Sequence, residues 1–347
     1  MRSRAMGSMT LAITLVILFL SAALLAASHG LLTQAIRTQG EGFASGRDRM
    51  LAESRLDEAM ALLLHDPKEA TASASWPAQV QWQKSSQSSG GVAYFRWWLQ
   101  AEVVGEGGTG SRVEQSLLHY PLLLRLPPAP LLLSGSLQQE GKLTLDLAGE
   151  AGATRSFWSK QPQSFMSSMF KVCSANTCQS VPAGVYHASN TGRLQLGDPL
   201  FPVSLPDYLF GLPAAVTLPE LNGLASASLP DCSSLDSTSH GVVVISGPCE
   251  LTGEIGSAAA PLLLVISGPL SLATSSQLNG LIYLQAQENE LCFASQSRIQ
   301  GAVVVSGDLK VKGIGGRIVY DKALLQRLQQ AIENFRWVRV PGSWRDW

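Results

Sequence analysis

The chain has 347 residues, with 25 Lys and Arg against 26 Asp and Glu, a formal net charge of −1, and 15% charged against 46% hydrophobic residues. A phosphate-binding surface normally shows as a basic excess, so this balance excludes nucleic acid as the expected partner. Taken from its start, the chain opens on a short basic leader, Met-Arg-Ser-Arg-Ala-Met-Gly7, and an uncharged apolar run from Thr10 to Ala27. Met9, Leu31 and Leu32 extend that run to the roughly 20 residues a helix needs to cross a bilayer core. Residues 8–32 are therefore predicted to be a transmembrane helix. Arg2 and Arg4, with no acid before Glu41, hold the amino end in the cytoplasm and place the bulk across the membrane. Two readings compete: a secretory signal cut within Leu25-Ala-Ala-Ser28, and a buried core helix, which the absence of any polar face disfavours.

Residues 33–66 keep a helical rhythm, interrupted near Gly40–Gly46, in which Leu51, Leu56, Ala59, Met60, Leu63 and Leu64 recur on one side. This predicts an amphipathic stem with a glycine-softened joint, ended by Asp66-Pro67. From 67 to 240 the chain reads as a β-rich region. Its clearest strands, Val92–Val104 and Val113–Leu124, flank the glycine-rich turn 105–110 and suggest a hairpin. That turn spells G-x-G-x-x-G, but a dinucleotide site needs a helix to begin there, and the next residues are strand-like. Between Pro127 and His240 the pattern suggests loops with short strands. The fragment Ser168-Met-Phe-Lys171 matches S-x-x-K of serine–lysine hydrolases without a companion S-D-N or K-T-G.

A loose repeat begins at Gly241: Val242-Val-Val-Ile-Ser-Gly, Leu262-Leu-Leu-Val-Ile-Ser-Gly, Leu281-Ile-Tyr-Leu and Ala302-Val-Val-Val-Ser-Gly. The V-I-S-G units recur at about 21 residues, a period that implies stacked coils. Residues 241–320 are thus expected to form a short parallel β-helix-like region, against the alternative of an antiparallel sandwich. Residues 321–347 follow as a helix capped by Asp321, with Leu324, Leu325, Leu328, Ile332 and Phe335 on one face, able to plug the end of the stack. A tail with Trp337, Trp344 and Trp347 closes the chain, and these three are candidate partner-binding residues. The expected fold class is α+β: a long N-terminal helix, a β-rich middle, a coil-stacked region and a terminal helix.

Five cysteines fall late. In an oxidising compartment, proximity favours bridges Cys173–Cys178 and Cys232–Cys249, leaving Cys292. A metal site is disfavoured because no second C-x-x-C or H-x-H accompanies them. Nor do the acids of the repeat, Glu250, Glu254, Glu288, Glu290 and Asp308, fall at matching positions in successive coils, as a stacked acid–base pair would need.

Together these parts resemble the PilX-type family of type IV pilus assembly proteins, which are similar to minor pilins. The resemblance rests on Gly7-Ser-Met-Thr-Leu-Ala-Ile-Thr-Leu-Val, the stem ending before Pro67, and the hairpin around Tyr94 and Arg96. It continues through Pro127-Pro-Ala-Pro130, Trp158-Ser159, Gly-Arg-Ile-Val-Tyr-Asp321 and the tail Pro341-Gly-Ser-Trp-Arg-Asp346. It implies a leader, residues 1–7, removed by a prepilin peptidase after Gly7 to leave Ser8 as the mature end. It also implies contact with other pilins through the N-terminal helix and with membrane lipid. The fifth mature position, a glutamate in major pilins, is Ala12 here. That departure suits a tip or priming role, like the K-type minor pseudopilin of type II secretion. No catalytic residue, cofactor, metal or small-molecule substrate is expected. The alternatives are an anchored periplasmic structural or adhesive protein and, more remotely, a periplasmic hydrolase.

Overall fold

The computed structural model describes residues 4–65, 76–77, 79–89, 92–104, 110–147, 155–166, 169–174, 177–187, 189–191, 193–212 and 225–346. The α+β class holds: one long apolar helix precedes a β-rich remainder containing parallel sheets. Contacts divide the chain into two compact units. The first is Met1–Ser86, Phe95–Leu118 and Trp337–Trp347, and the second is Gln87–Tyr94 and His119–Arg336.

In the first unit, helix α1 (Arg4–His65) runs for 62 residues, about 90 Å at 1.5 Å per residue. The interruption expected near Gly40–Gly46 does not occur. An added Cβ at Gly40, Gly42 or Gly46 would meet nothing within 4 Å, so these glycines answer to no close approach within the chain. Each weakens helix propensity by about 1 kcal/mol, which flanking helix overrides by propagation. The stop expected at Pro67 lies outside the described residues.

The last turns of α1 bury Ala52, Leu56, Ala59, Met60 and Leu63, at the spacing of one helical face. Leu51 and Leu64, expected on that face, are instead 43% and 59% exposed, because they fall a residue to either side of the stripe. The face packs on a sheet ordered β1 (Val80–Ser89), β2 (Val92–Val104), β3 (Gly110–Pro121) and then Phe335–Arg339, with the short strand Arg345–Asp346 also on β3. β2 contributes Trp97, Leu99, Ala101 and Val103 to this core, and β3 contributes Val113 and Leu117, the alternation of a half-buried strand. Gly110 opens strand β3 rather than a helix, so the arrangement a dinucleotide would need is missing there; residues 105–109 lie outside the described set.

The second unit is a stack of parallel coils. On its first ladder Ile245 lies beside Ile266, Ile266 beside Leu284 and Leu284 beside Val305, keeping close to the repeat read in the sequence. A second ladder joins Cys249–Leu251, Leu270–Leu272, Glu288–Phe293 and Asp308–Gly313. A third joins Glu254–Ile255 to Gln277 and Leu278, then Ser297–Gln300 and Gly316–Val319. Leu, Ile, Val and Phe side chains from all three ladders fill the interior.

The boundary expected at residue 241 is not where this structure divides. Val303 pairs with Leu131, Leu309 with Leu137 and Gly316 with Leu143, so the last repeat in sequence stacks on strands from residues 131–146. Leu131–Leu133 then pairs with Phe157–Ser159, and that strand with Leu194–Leu196. Described strands of the stretch read as loops with short strands therefore belong to the coil stack. Its strands are three to five residues long and never build a periodic run.

The terminal helix also lies elsewhere than expected. The first ladder is apolar on both sides, and Val242, Val244, Leu263, Val265, Leu281, Tyr283 and Val304 point outward from the stack. They are covered by helix α2 (Leu205–Phe210), through Leu205, Leu209 and Phe210, and by helix α3 (Lys322–Gln330), through Leu325 and Leu328. Covering this flank, α3 is not an end plug. It is capped by Asp321, whose Oδ1 accepts from the Leu324 amide at 2.8 Å, and it stops at Gln330. Ile332 belongs to a short 3₁₀ turn and Phe335 to the strand that returns to β3.

Candidate membrane and assembly surface

All of the candidate surface lies in the first unit. From Ile17 to Arg47 every described side chain of α1 is exposed, among them Leu18, Phe19, Leu24, Leu25, Leu31, Leu32, Ile36 and Phe43. This part is long and apolar enough to cross a membrane. Its hydroxyls are spent on its own backbone. Ser21 Oγ donates to the Leu18 carbonyl and Ser28 Oγ to that of Leu25, both at 2.9 Å, and Thr38 Oγ1 donates to Ala35 at 3.0 Å. Hydroxyls bonded within their own helix leave the run from Ile17 to Ala27 with an almost wholly apolar surface, as residence in hydrocarbon requires, whereas His29, Gln34, Arg37 and Gln39 make the following turns more polar. Gly7, Ser8 and Ala12 fall in the helical stretch.

The stem is fixed to the sheet by the tail. Pro341-Gly342 turns the chain, with Gly342 at φ 69°, a left-handed value that favours glycine. Ser343 Oγ then accepts from Gln115 Nε2 at 2.7 Å and from the Ser116 amide at 3.1 Å, and the Val340 amide donates to the Ser116 carbonyl at 2.9 Å. Arg345 and Asp346 pair antiparallel with Glu114 and Val113 of β3. Asp346 Oδ2 meets Arg49 Nη1 at 2.7 Å, and the Arg49 guanidinium stands 5.1 Å over the Trp344 ring. The tail motif thus touches strand and stem together. Sequence reasoning singled out the motif but not Arg49, Gln115 or Ser343, and no local signal links residues more than 200 positions apart.

The candidate tryptophans fall in different settings. Trp337 stacks into a row of indoles, 5.9 Å from Trp97, which is 5.3 Å from Trp82, itself 5.6 Å from Trp76. Trp344 is 41% exposed, and Trp347 lies outside the described residues. In the second unit Cys173 is joined to Cys178 across a two-strand turn and Cys232 to Cys249. Cys292 is a free, half-buried thiol, flanked on neighbouring coils by Ser271 and Lys312. Of the S-x-x-K fragment, Ser168 is outside the described residues and Lys171 is on an exposed strand position. Among the described residues no group of three or more His, Cys, Asp or Glu is placed to hold a metal.

No family model matches the chain, and no curated protein matches it. Several solved structures share distant likeness. An ice-binding protein from an Antarctic bacterium, Flavobacteriaceae, has a TM-score of 0.30 at 13% identity over 55% of this chain and 45% of its own, so the match spans less than half of that protein. The ice-binding protein LeIBP from an Arctic yeast gives 0.27 at 10% identity, over 57% of this chain and 95% of that one. The competence-associated pilin ComZ from Thermus thermophilus gives 0.27 at 11% identity, over 88% and 98%. Likeness at this level fixes neither family nor function.

Proposed function

We propose that this chain is a membrane-anchored, non-catalytic subunit of a type IV pilus or related filament machine, of the PilX-type, minor-pilin-like kind. The observation that carries the reading is the division of α1. Its last turns are held to a sheet by a buried core and by the tail, while the turns before them are uncovered and, from Ile17 to Leu32, largely apolar. Water would oppose such a surface, whereas lipid or neighbouring helices satisfy it. Ser21, Ala22, Ala23, Ala26 and Ala27 are small enough to let partner helices approach closely, so the same surface serves in the bilayer and in an extruded bundle. A non-catalytic role is supported by the acids of the coil stack. Against the sequence reading, Glu288 and Asp308 stand at matching positions on successive coils, but Asp308 accepts from the Ser136 amide and hydroxyl, Glu140 pairs with Lys310 at 2.8 Å and Glu290 with Lys312 at 2.7 Å, so these three acids are engaged structurally.

In this reading the amino end is cytoplasmic, the bulk is periplasmic, and a prepilin peptidase cuts after Gly7. Ala12 in place of an acid at the fifth mature position fits a tip or priming subunit better than a bulk building block. Mass spectrometry of protein taken from membranes should find a mature end at Ser8. Deletion should strongly reduce pilus number, although the protein itself is scarce in sheared filaments. Leu18→Arg, costing about 2.5–3.5 kcal/mol on insertion scales, should mimic the deletion. A mature end near His29 would overturn the anchor, and unchanged pilus number in the deletion strain would overturn the priming role.

A further inference from the structure

We propose that the third face of the coil stack binds a linear anionic polysaccharide through a row of cations. Arg298, Arg317, Thr144 and Lys171 occupy the same register position on four successive coils. Adjacent parallel strands lie about 4.8 Å apart, which makes the row about 14 Å long. The three cations are exposed, and with Lys142 beside them they line a groove of about 410 Å³, at whose edge the Asp146 carboxylate pairs with Arg317. That volume is within the range of about 300–1,000 Å³ usual for ligand clefts.

The row is partly pre-set. Arg298 donates through Nε and Nη2 to the Gln277 side-chain carbonyl, a neutral partner that orients the guanidinium without cancelling its charge. Arg317 is held by Asp146, an ion pair that occupies one edge of its fork. Arginine grips a carboxylate bidentately and lysine acts as a mobile point charge, so the row offers both kinds of contact, with the Thr144 hydroxyl available to a sugar hydroxyl.

The same features weigh against nucleic acid. Among the described residues no aromatic ring lines the groove to stack a base. Duplex DNA carries one charge per about 1.7 Å of axis and demands a broad basic surface, which a chain of net charge −1 lacks. A slender glycan with one acid per sugar needs only a row. This inference stands apart from the assembly reading, since it concerns the second unit alone.

The test uses the full chain in neutral-lipid nanodiscs, with oligogalacturonate as probe, dextran as uncharged control, and single- and double-stranded DNA alongside. Oligogalacturonate should bind saturably, weaken as salt is raised, and outcompete dextran. Arg298→Gln with Lys171→Gln should lower its affinity at least tenfold, while Lys310→Gln, on the neighbouring ladder, should leave it unchanged. Thr144→Glu removes no cation but places an acid within the row, and it should cost a similar factor with thermal unfolding preserved. Absence of oligogalacturonate binding, wild-type affinity in these row variants, or tighter binding of DNA at equal charge concentration would each overturn the proposal.

Discussion

Gly301 offers the sharpest test of the stacked-coil geometry. Its φ is 134°, and a Cβ built on it would stand 1.8 Å from the carbonyl oxygen of Gly280 on the neighbouring coil and 2.8 Å from that carbonyl carbon. Backbone atoms cannot rotate aside, so Gly301→Ala must shift one coil against the next. Left-handed backbone costs an L-residue about 1–2 kcal/mol, and overpacking typically adds about 1–3 kcal/mol, for a combined loss of about 2–5 kcal/mol. Gly253 separates the two contributions, because its φ is 74° yet a Cβ there meets nothing within 4 Å. Gly253→Ala should therefore lose only the backbone part. Gly315 has neither feature, and Gly315→Ala should stay within about 0.5 kcal/mol of the parent. In a unit of this size each kcal/mol moves the midpoint about 2–4 °C, so Gly301→Ala should lower Tm by about 4–20 °C in thermal unfolding of the full chain. If Gly301→Ala loses no more than Gly253→Ala, the coils are not held at that spacing by the absent side chain, and the reasoning fails.

Three further outcomes follow from particular contacts. Ser343→Ala removes the shared acceptor of the Ser116 amide and the buried Gln115 amide, leaving the latter only the Ser116 carbonyl, and should cost about 1–3 kcal/mol in denaturant unfolding while leaving membrane insertion intact; an unchanged midpoint would deny the tail its fastening role. Opening the Cys232–Cys249 bridge by Cys249→Ser should cost about 2–4 kcal/mol, checked by comparing unfolding of parent and variant without reductant. Burial raises the Tyr283 hydroxyl above its ordinary value of 10.0, with the Ser306 hydrogen bond a smaller opposing influence. The unfolded chain then releases this proton first, so stability present below pH 10 is lost as pH rises from there toward the folded value. Tyr283→Phe should flatten that alkaline decline, measured as the midpoint in urea at a series of pH values.

What the sequence determined by itself was whatever depends on local order. The apolar run from Thr10 to Ala27 forms a helix wherever it is placed, because its backbone bonds close within the segment and nothing breaks the pattern. The stripe Leu56, Ala59, Met60 and Leu63 announces its buried face, and the V-I-S-G repeat announces stacked coils, since a parallel ladder must bring like residues into register. The doubly apolar runs at Val242 and Leu262 also carried a signal that the first ladder would be covered outside as well as inside, as buried parallel strands are. What covered it was a tertiary choice. α3 has one apolar stripe that would suit the end of the stack or its flank, and it lies on the flank, where it shares with α2 the cover of Val244, Val265 and Val304. The order of coils was equally beyond local reading. Leu131–Leu133 pairs with Val303, Val304 and Val305, more than 170 residues away, and a strand of three residues has no period of its own to declare. The tail motif was visible as residues, but its fastening of Gln115 and Arg49 exists only once β3 and α1 lie side by side.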